Sequence, residues 1–430
     1  MKQVQHHPVE DICRAQRRGF LRAAACSSMA MLTPWLTGCG GSSDASGTQS
    51  GAQSGTDPPS GLDGGTLATS PYTLVTDTVA SGLDRPWGLA FLPDGRMLVT
   101  ERSGQMQLLS ADGSRRDTVW GLPPVMFSGQ GGLLDVVLDP DFNGNARVYW
   151  TFSEPDPQGS ATSAAAVGRG RLVNGQMEDA TVIFRQTPLD GGNGHYGARL
   201  AFRLDSTLLV ALGERQRDNP SQPGTGNAQA LDNYLGKVVR LRSDGTFPSD
   251  NPSLGSGALP GIWTWGHRNP QGLAVHPTTG EVWLNEHGPQ GGDELNRLRP
   301  GRNYGWPLRS YGCPYGDPVG EACRVAGGTH APDYEEPVSV WVPESIAPSS
   351  LMFYTGTRFA VWQGHAFMTA LATSDTGGRA LWRIELDGAR EVARERLLGG
   401  LDQRLRCVQQ GPDGWLYVLT DSGSLLRVRN

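Results

Sequence analysis

The chain has 430 residues, 59 of them Gly and 30 Pro, with a net charge of −6. That charge excludes a nucleic-acid surface, which needs a concentrated positive field. The Gly and Pro content, with few long helical patterns, points to a turn-rich β protein and against a parallel βαβ fold.

The chain opens on a targeting pattern. Arg17-Arg18-Gly19-Phe20-Leu21 is a twin-arginine motif, and the apolar stretch from Ala23 to Leu36 is too short to span a bilayer. Leu36-Thr37-Gly38-Cys39 has the form of a lipobox, which would leave Cys39 as a lipidated first residue. Residues 1–39 are therefore expected to act as an export signal, with a periplasmic destination and membrane contact only through Cys39. Residues 40–70 are Ser/Gly/Thr/Asp-rich and cannot bury enough apolar surface to order themselves, so they read as a flexible linker. Residues 71–430 form the remaining domain.

From Tyr72 onward an apolar strand, a turn at Asp, Asn or Gly, and a second strand recur. The copies begin at Gly88, Leu134, Arg199, Gly272, Leu351 and Val408. Each is a hairpin signal, and a spacing of about fifty to eighty residues fits propeller blades with inserted loops. The expected fold is all-β, a six-bladed β-propeller with four-stranded antiparallel blades. A β-sandwich is the alternative, which six similar hairpins disfavour. The strand around Tyr72–Val79 is expected to pair with the last blade and close the ring. Cys313 and Cys323 bracket a short loop and read as a disulfide, leaving Cys407 over and buried.

Propeller loops gather at the ends of the channel, so polar residues just outside the strands are the site candidates. Asp190-Gly-Gly-Asn-Gly-His195-Tyr-Gly sets a lone His in a bare loop, either a general base or a surface residue with no role. In Gly266-His-Arg268-Asn269-Pro-Gln-Gly272, Arg268 and Asn269 precede a strand, as ligand contacts or as a loop pin. Asn285 to Glu294 combines carboxylates, glycines and Pro289; it reads as a Ca²⁺ site using carbonyl oxygens or as a solvated acidic loop. Arg404 and Arg406 alternate with Leu405 and Cys407, which puts two cations on one strand face, as an anion-binding wall or as a solvated outer strand.

These segments, with Gly129-Gln130-Gly131-Gly132-Leu133-Leu134-Asp135, Asn303-Tyr-Gly-Trp-Pro307 and Ala347-Pro-Ser349 in the same order, resemble the soluble aldose sugar dehydrogenases. That family is pyrroloquinoline-quinone (PQQ)-dependent and includes soluble glucose dehydrogenase. The resemblance implies an oxidoreductase that converts aldoses to lactones by hydride transfer to PQQ, held with Ca²⁺ at the channel mouth. A separate electron acceptor would then reoxidise the cofactor. It implies His195 as the base, with Arg268 stabilising the developing oxyanion. It implies Gln130, Arg268, Asn269, Arg404 and Arg406 as quinone contacts, Ser345 and Asp421 as further ones, and the carbonyls of Gly288 and Pro289 as Ca²⁺ ligands. Two positions depart from the family. Glu214 stands where an Asp is common behind the base, and no Lys occurs near Leu371-Ala-Thr-Ser374 to contact the cofactor. Fewer cations would weaken cofactor binding or change the electrostatic environment of the quinone. The competing functions are a cofactor-free propeller binding a glycan or protein, and a lactonase using Ca²⁺ alone.

Overall fold

The computed structural model describes residues 70–221, 226–372 and 378–430. The signal segment, the lipobox Cys39, the linker up to residue 69, and Thr373 and Ser374 lie outside the described residues. No helix among the described residues is long and apolar enough to cross a membrane.

Six antiparallel sheets form, one from each hairpin and its flanking strands. The alternating apolar residues and their turns account for this. In Pro93-Asp94-Gly95, Gly95 at φ +88° closes the turn through its N–H to Leu92 O, 2.9 Å, a backbone region that other residues enter at a cost. Five sheets have four strands. The third (Gly197–Phe202, Leu208–Leu212, Lys237–Leu241, Ile262–Trp265) adds a short parallel fifth, Arg302–Asn303.

The first strands of the six sheets are Pro86–Phe91, Leu133–Leu138, Gly197–Phe202, Pro270–Val275, Pro348–Phe353 and Leu405–Gln410. Each touches the next, and the sixth returns to the first, so the sheets are blades of a closed propeller. The closure is the expected one. Val75–Ala80 forms the outer strand of the last blade against Leu425–Arg429, so the two ends of the ring are joined by backbone hydrogen bonds. Each of the six apolar clusters lies between two neighbouring blades. Leu209, Ala211 and Trp263, for example, meet Leu273, Val282 and Leu284 across one such interface. Truncating one of these fully buried leucines to Ala would cost about 2–5 kcal/mol.

One irregularity recurs in all six blades and positions the site. The register of the innermost strand slips against its neighbour near its start, at Pro86/Leu89, Leu133/Val136, Gly197/Arg199, Pro270/Gly272, Pro348/Leu351 and Leu405/Cys407. A bulge bends the strand and turns a side chain that strict alternation would send elsewhere. All six bulges fall at the strand starts, beside the segments that carry the candidate residues.

Candidate active site

His195 sits in the loop entering the third blade with φ +44°, in the left-handed region, which costs a non-glycine residue about 1–2 kcal/mol. Its surroundings hold it there. Its N–H donates to Gln130 Oε1 at 2.8 Å, Arg215 N–H donates to its carbonyl at 3.2 Å, and Gln130 N–H donates to Asn193 O at 2.6 Å. The Gly129–Gly132 turn of the second blade and the His195 loop are thus laced together. Beneath them lies Arg215, fully buried, with its guanidinium 3.7 Å from the Tyr196 ring centre. It donates to Ser163 O at 3.1 Å and to Gly192 O.

His195 is 6% exposed, and its Nδ1 lies 2.5 Å from Glu214 Oε1. The other Glu214 oxygen accepts from the N–H groups of Arg217 (2.5 Å) and Asp218 (3.1 Å), which fixes the carboxylate. The extra methylene of Glu214 relative to Asp therefore does not keep the carboxylate from the ring. Burial, and then the charge of Arg268, hold the His195 pKa well below its ordinary value, so the ring is neutral at pH 7. Burial raises Glu214 to about 7, against the opposing pull of Arg268 and of its two N–H donors. With Nδ1 turned to the carboxylate, Nε2 is left as the basic nitrogen, and no hydrogen bond occupies it among the described residues.

Next to this pair, behind Gln130, Tyr196 and Gly197, lies an open cleft of about 130 Å³, which His195 and Glu214 adjoin without lining. Gln130, Asn269, Arg404, Arg406 and Asp421, all singled out from sequence, line it together. Arg404 and Arg406 do reach one space, although Arg406 stands at the bulge of its strand. Each guanidinium donates from Nε to a different Asp421 oxygen, at 2.9 and 3.1 Å. Trp87, Arg102, Gln271 and His287 line the same cleft and escaped the sequence reading as site residues. Gln271 and His287 lie inside motifs that were noticed. Trp87 and Arg102 come from the first blade, where no motif marked them.

Arg268 and Gly288 line an adjoining recess, and His287 lines both spaces. Arg268 Nη1 donates to Gly288 O at 2.7 Å and to His287 O at 3.2 Å, while its Nε is buried without a partner. Arg268 thus pins this loop and still keeps one donor uncommitted. The acidic loop is not solvated. Glu286 accepts from Arg268 N–H at 2.7 Å and contacts His267 Nδ1 at 2.9 Å. Asp293, fully buried, accepts from Gly288 N, Ser345 Oγ, Ile346 N and Ala347 N at 2.6–2.9 Å. Ser345 is committed to Asp293, and neither it nor Pro289 lines either space. Among the described residues no three His, Cys, Asp or Glu side chains converge as a metal site. Cys313 and Cys323 are disulfide-bonded, and Cys407 is free and buried.

Known proteins share this arrangement of blades. The family model "Glucose / Sorbosone dehydrogenase" matches residues 83–427. Aldose sugar dehydrogenase YliI of Escherichia coli (strain K12) is 42% identical over 370 residues, 84% of this chain and 94% of that protein. The crystal structure of a glucose dehydrogenase, 44% identical, superposes with a TM-score of 0.74 over 82% of this chain and 99% of that one. The PQQ-bound form of aldose sugar dehydrogenase from Streptomyces coelicolor, 28% identical, superposes with a TM-score of 0.65 over 84% and 99%. By sequence and by fold, the chain belongs to the glucose/sorbosone dehydrogenase family.

Proposed function

We propose that the protein oxidises the anomeric hydroxyl of aldose sugars to lactones by hydride transfer to PQQ. The observation that carries this reading is a buried His–carboxylate pair beside a cleft with more guanidinium than carboxylate charge. The residues present fit the cofactor. PQQ carries three carboxylates, and the cleft sets Arg102, Arg404 and Arg406 against the single carboxylate of Asp421. Arg404, Arg406, Asn269 and Gln130 would hold it, with the uncommitted Nε of Arg268 as a further donor.

When bound, PQQ supplies an ortho-quinone that accepts two electrons. The chain's own residues supply the rest. His195 Nε2 takes the proton of the anomeric hydroxyl, and Glu214 keeps the ring in the tautomer that leaves Nε2 basic and stabilises the imidazolium that forms. Arg268, whose charge acts on both His195 and Glu214, stabilises the negative charge developing at the reacting oxygens. Burial of the pair excludes water that would weaken these interactions.

Gly288 and Pro289 offer two carbonyls, fewer than the six to eight oxygens that Ca²⁺ takes, and Gly288 O already accepts from Arg268 Nη1 at 2.7 Å. They would hold the ion only together with oxygens of the quinone and water. A Ca²⁺-only lactonase would need metal-binding carboxylates in the channel, whereas Asp293 and Glu286 are committed to backbone N–H groups and His267.

The test adds PQQ and Ca²⁺ to the purified protein, with a bound-quinone absorption band and glucose-dependent dye reduction expected. Neither band nor dye reduction would overturn the reading in favour of a binding module. His195→Ala is expected to abolish turnover, a loss of about 10²–10⁴-fold, with cofactor binding kept. Near-normal activity would remove His195 as the base.

A further inference from the structure

The three guanidiniums of the cleft are not equivalent. Arg404 and Arg406 share Asp421, so that cluster carries one net positive charge. Arg102, at the end of the strand Met97–Glu101, has no ion pair among the described residues. Its Nη2 donates to the carbonyls of Gly129 and Gly131, and its face lies 5.4 Å from the Phe127 ring centre. Those contacts satisfy donors without an ion pair, and the carboxylates of Asp421 and Asp84 act on the charge only from beyond salt-bridge distance. Arg102 nonetheless shares the space of the other cluster, for its charge acts on Arg406 and that of Asp421 acts on it. A half-buried cation that lines a cleft, with no ion pair among the described residues, is arranged for an anionic ligand.

The position also bears on the departure noted in the sequence. The lysine absent near Leu371 removes one cation from that side of the cleft, while Arg102 supplies one from the first blade. We propose that Arg102 is a further cation of the cofactor site, recognising a carboxylate of the quinone in place of that lysine. The inference rests on the PQQ reading and deepens it. With Asp421 as the bracket that aligns Arg404 and Arg406, the cleft carries two net positive charges with Arg102 and one without it, against the three carboxylates of the ligand. The Arg102 fork also grips the carbonyls on both sides of Gln130, whose side chain caps His195 N–H. The residue that meets the cofactor therefore also braces the loop under the base.

The test is direct binding of PQQ to the full chain prepared without cofactor, at fixed Ca²⁺ and several salt concentrations, read from tryptophan fluorescence and from free quinone after ultrafiltration. Arg102→Gln is expected to weaken binding by about 10- to 100-fold, the range for losing one charge-assisted hydrogen bond, and to flatten the salt dependence. Arg102→Lys keeps the charge without the fork and is expected to lose less than about 10-fold, with wild-type salt dependence. A brace with no ligand contact would instead lower the melting temperature and leave affinity and salt dependence at wild-type values in both variants, and that result overturns the proposal. Failure of the wild-type chain to bind PQQ is a separate outcome, which overturns the cofactor reading itself.

Discussion

Two arginine–carboxylate clusters sit on the inner strands of this propeller and serve opposite ends. Asp135 and Arg199, on the second and third blades, pair one to one at 2.9 Å, with side chains only 4–5% exposed. Arg199 lies 3.9 Å from the Trp87 ring centre and donates to Gln271 O, while Asp135 also accepts from Leu200 N. This pair is neutral, closed, and joins two blades. Asp421 instead faces Arg404 and Arg406, is about a third exposed, and opens on a cleft that also holds Arg102. The difference is one of stoichiometry and access. A balanced buried pair holds the fold, whereas surplus cation beside an open space attracts an anion. Asp77 supplies the control, since it too faces two arginines, Arg427 and Arg429, but on the outer closing strand and away from the cleft of Arg404 and Arg406.

The comparison can be broken by substitution. The largest stability effect belongs to the closed pair. Arg199→Ala would leave Asp135 buried and unpaired, costing about 3–5 kcal/mol in denaturant unfolding. A loss below 1 kcal/mol would mean that the pair is not what joins these blades. Glu214→Gln acts on rate, with turnover expected to fall about 10²-fold while the melting temperature changes little. The wild-type pH profile sharpens this. Glu214 is raised to about 7, so protonation below that pH removes the acceptor for Nδ1–H and activity falls toward acid. Glu214→Gln should lack that limb, and a profile identical to wild type would separate the carboxylate from the chemistry. Arg406→Met touches the open cluster and is expected to weaken PQQ binding about 10- to 100-fold, with a smaller stability loss than Arg199→Ala. Reversal of that order would undo the division between structural and ligand-facing charge.

Asp77→Asn should have the smallest effect, because exposed pairs contribute little. Hydrogen bonds from Arg429 and Arg427 lower Asp77 from 3.8 to about 2. Its contribution is therefore present above about 4 and lost as pH falls through about 2. The variant should melt slightly below wild type at pH 7 and converge with it near pH 2. Its PQQ binding should be unchanged, which would show that two arginines on one carboxylate do not by themselves make a cofactor site.

Much of this was legible in the chain. The six hairpins announce themselves by strand alternation and by turns such as Pro93-Asp94-Gly95, because those signals are local and each blade repeats them. The grouping of Gln130, Asn269, Arg404, Arg406 and Asp421 was implied by the family resemblance of their motifs, and the cleft brings these residues together. Arg102 and Trp87 did not, for nothing within a few residues of either distinguishes it from an ordinary strand terminus. The nature of the acidic loop was likewise open. Glu286 and Asp293 look like solvent-facing carboxylates until Arg268, His267 and the Ser345–Ala347 backbone are folded against them.

By itself the sequence determined the blade count, the closing strand and the residue types that the site draws on, because periodicity and turn chemistry act over a few residues. Only the tertiary structure decided which charges are compensated. Asp135 meets Arg199, Asp421 meets Arg404 and Arg406, and Arg102 meets no carboxylate among the described residues. Those pairings cross blades or bulges, and the balance of charge in a cleft is a property of residues brought together from distant parts of the chain.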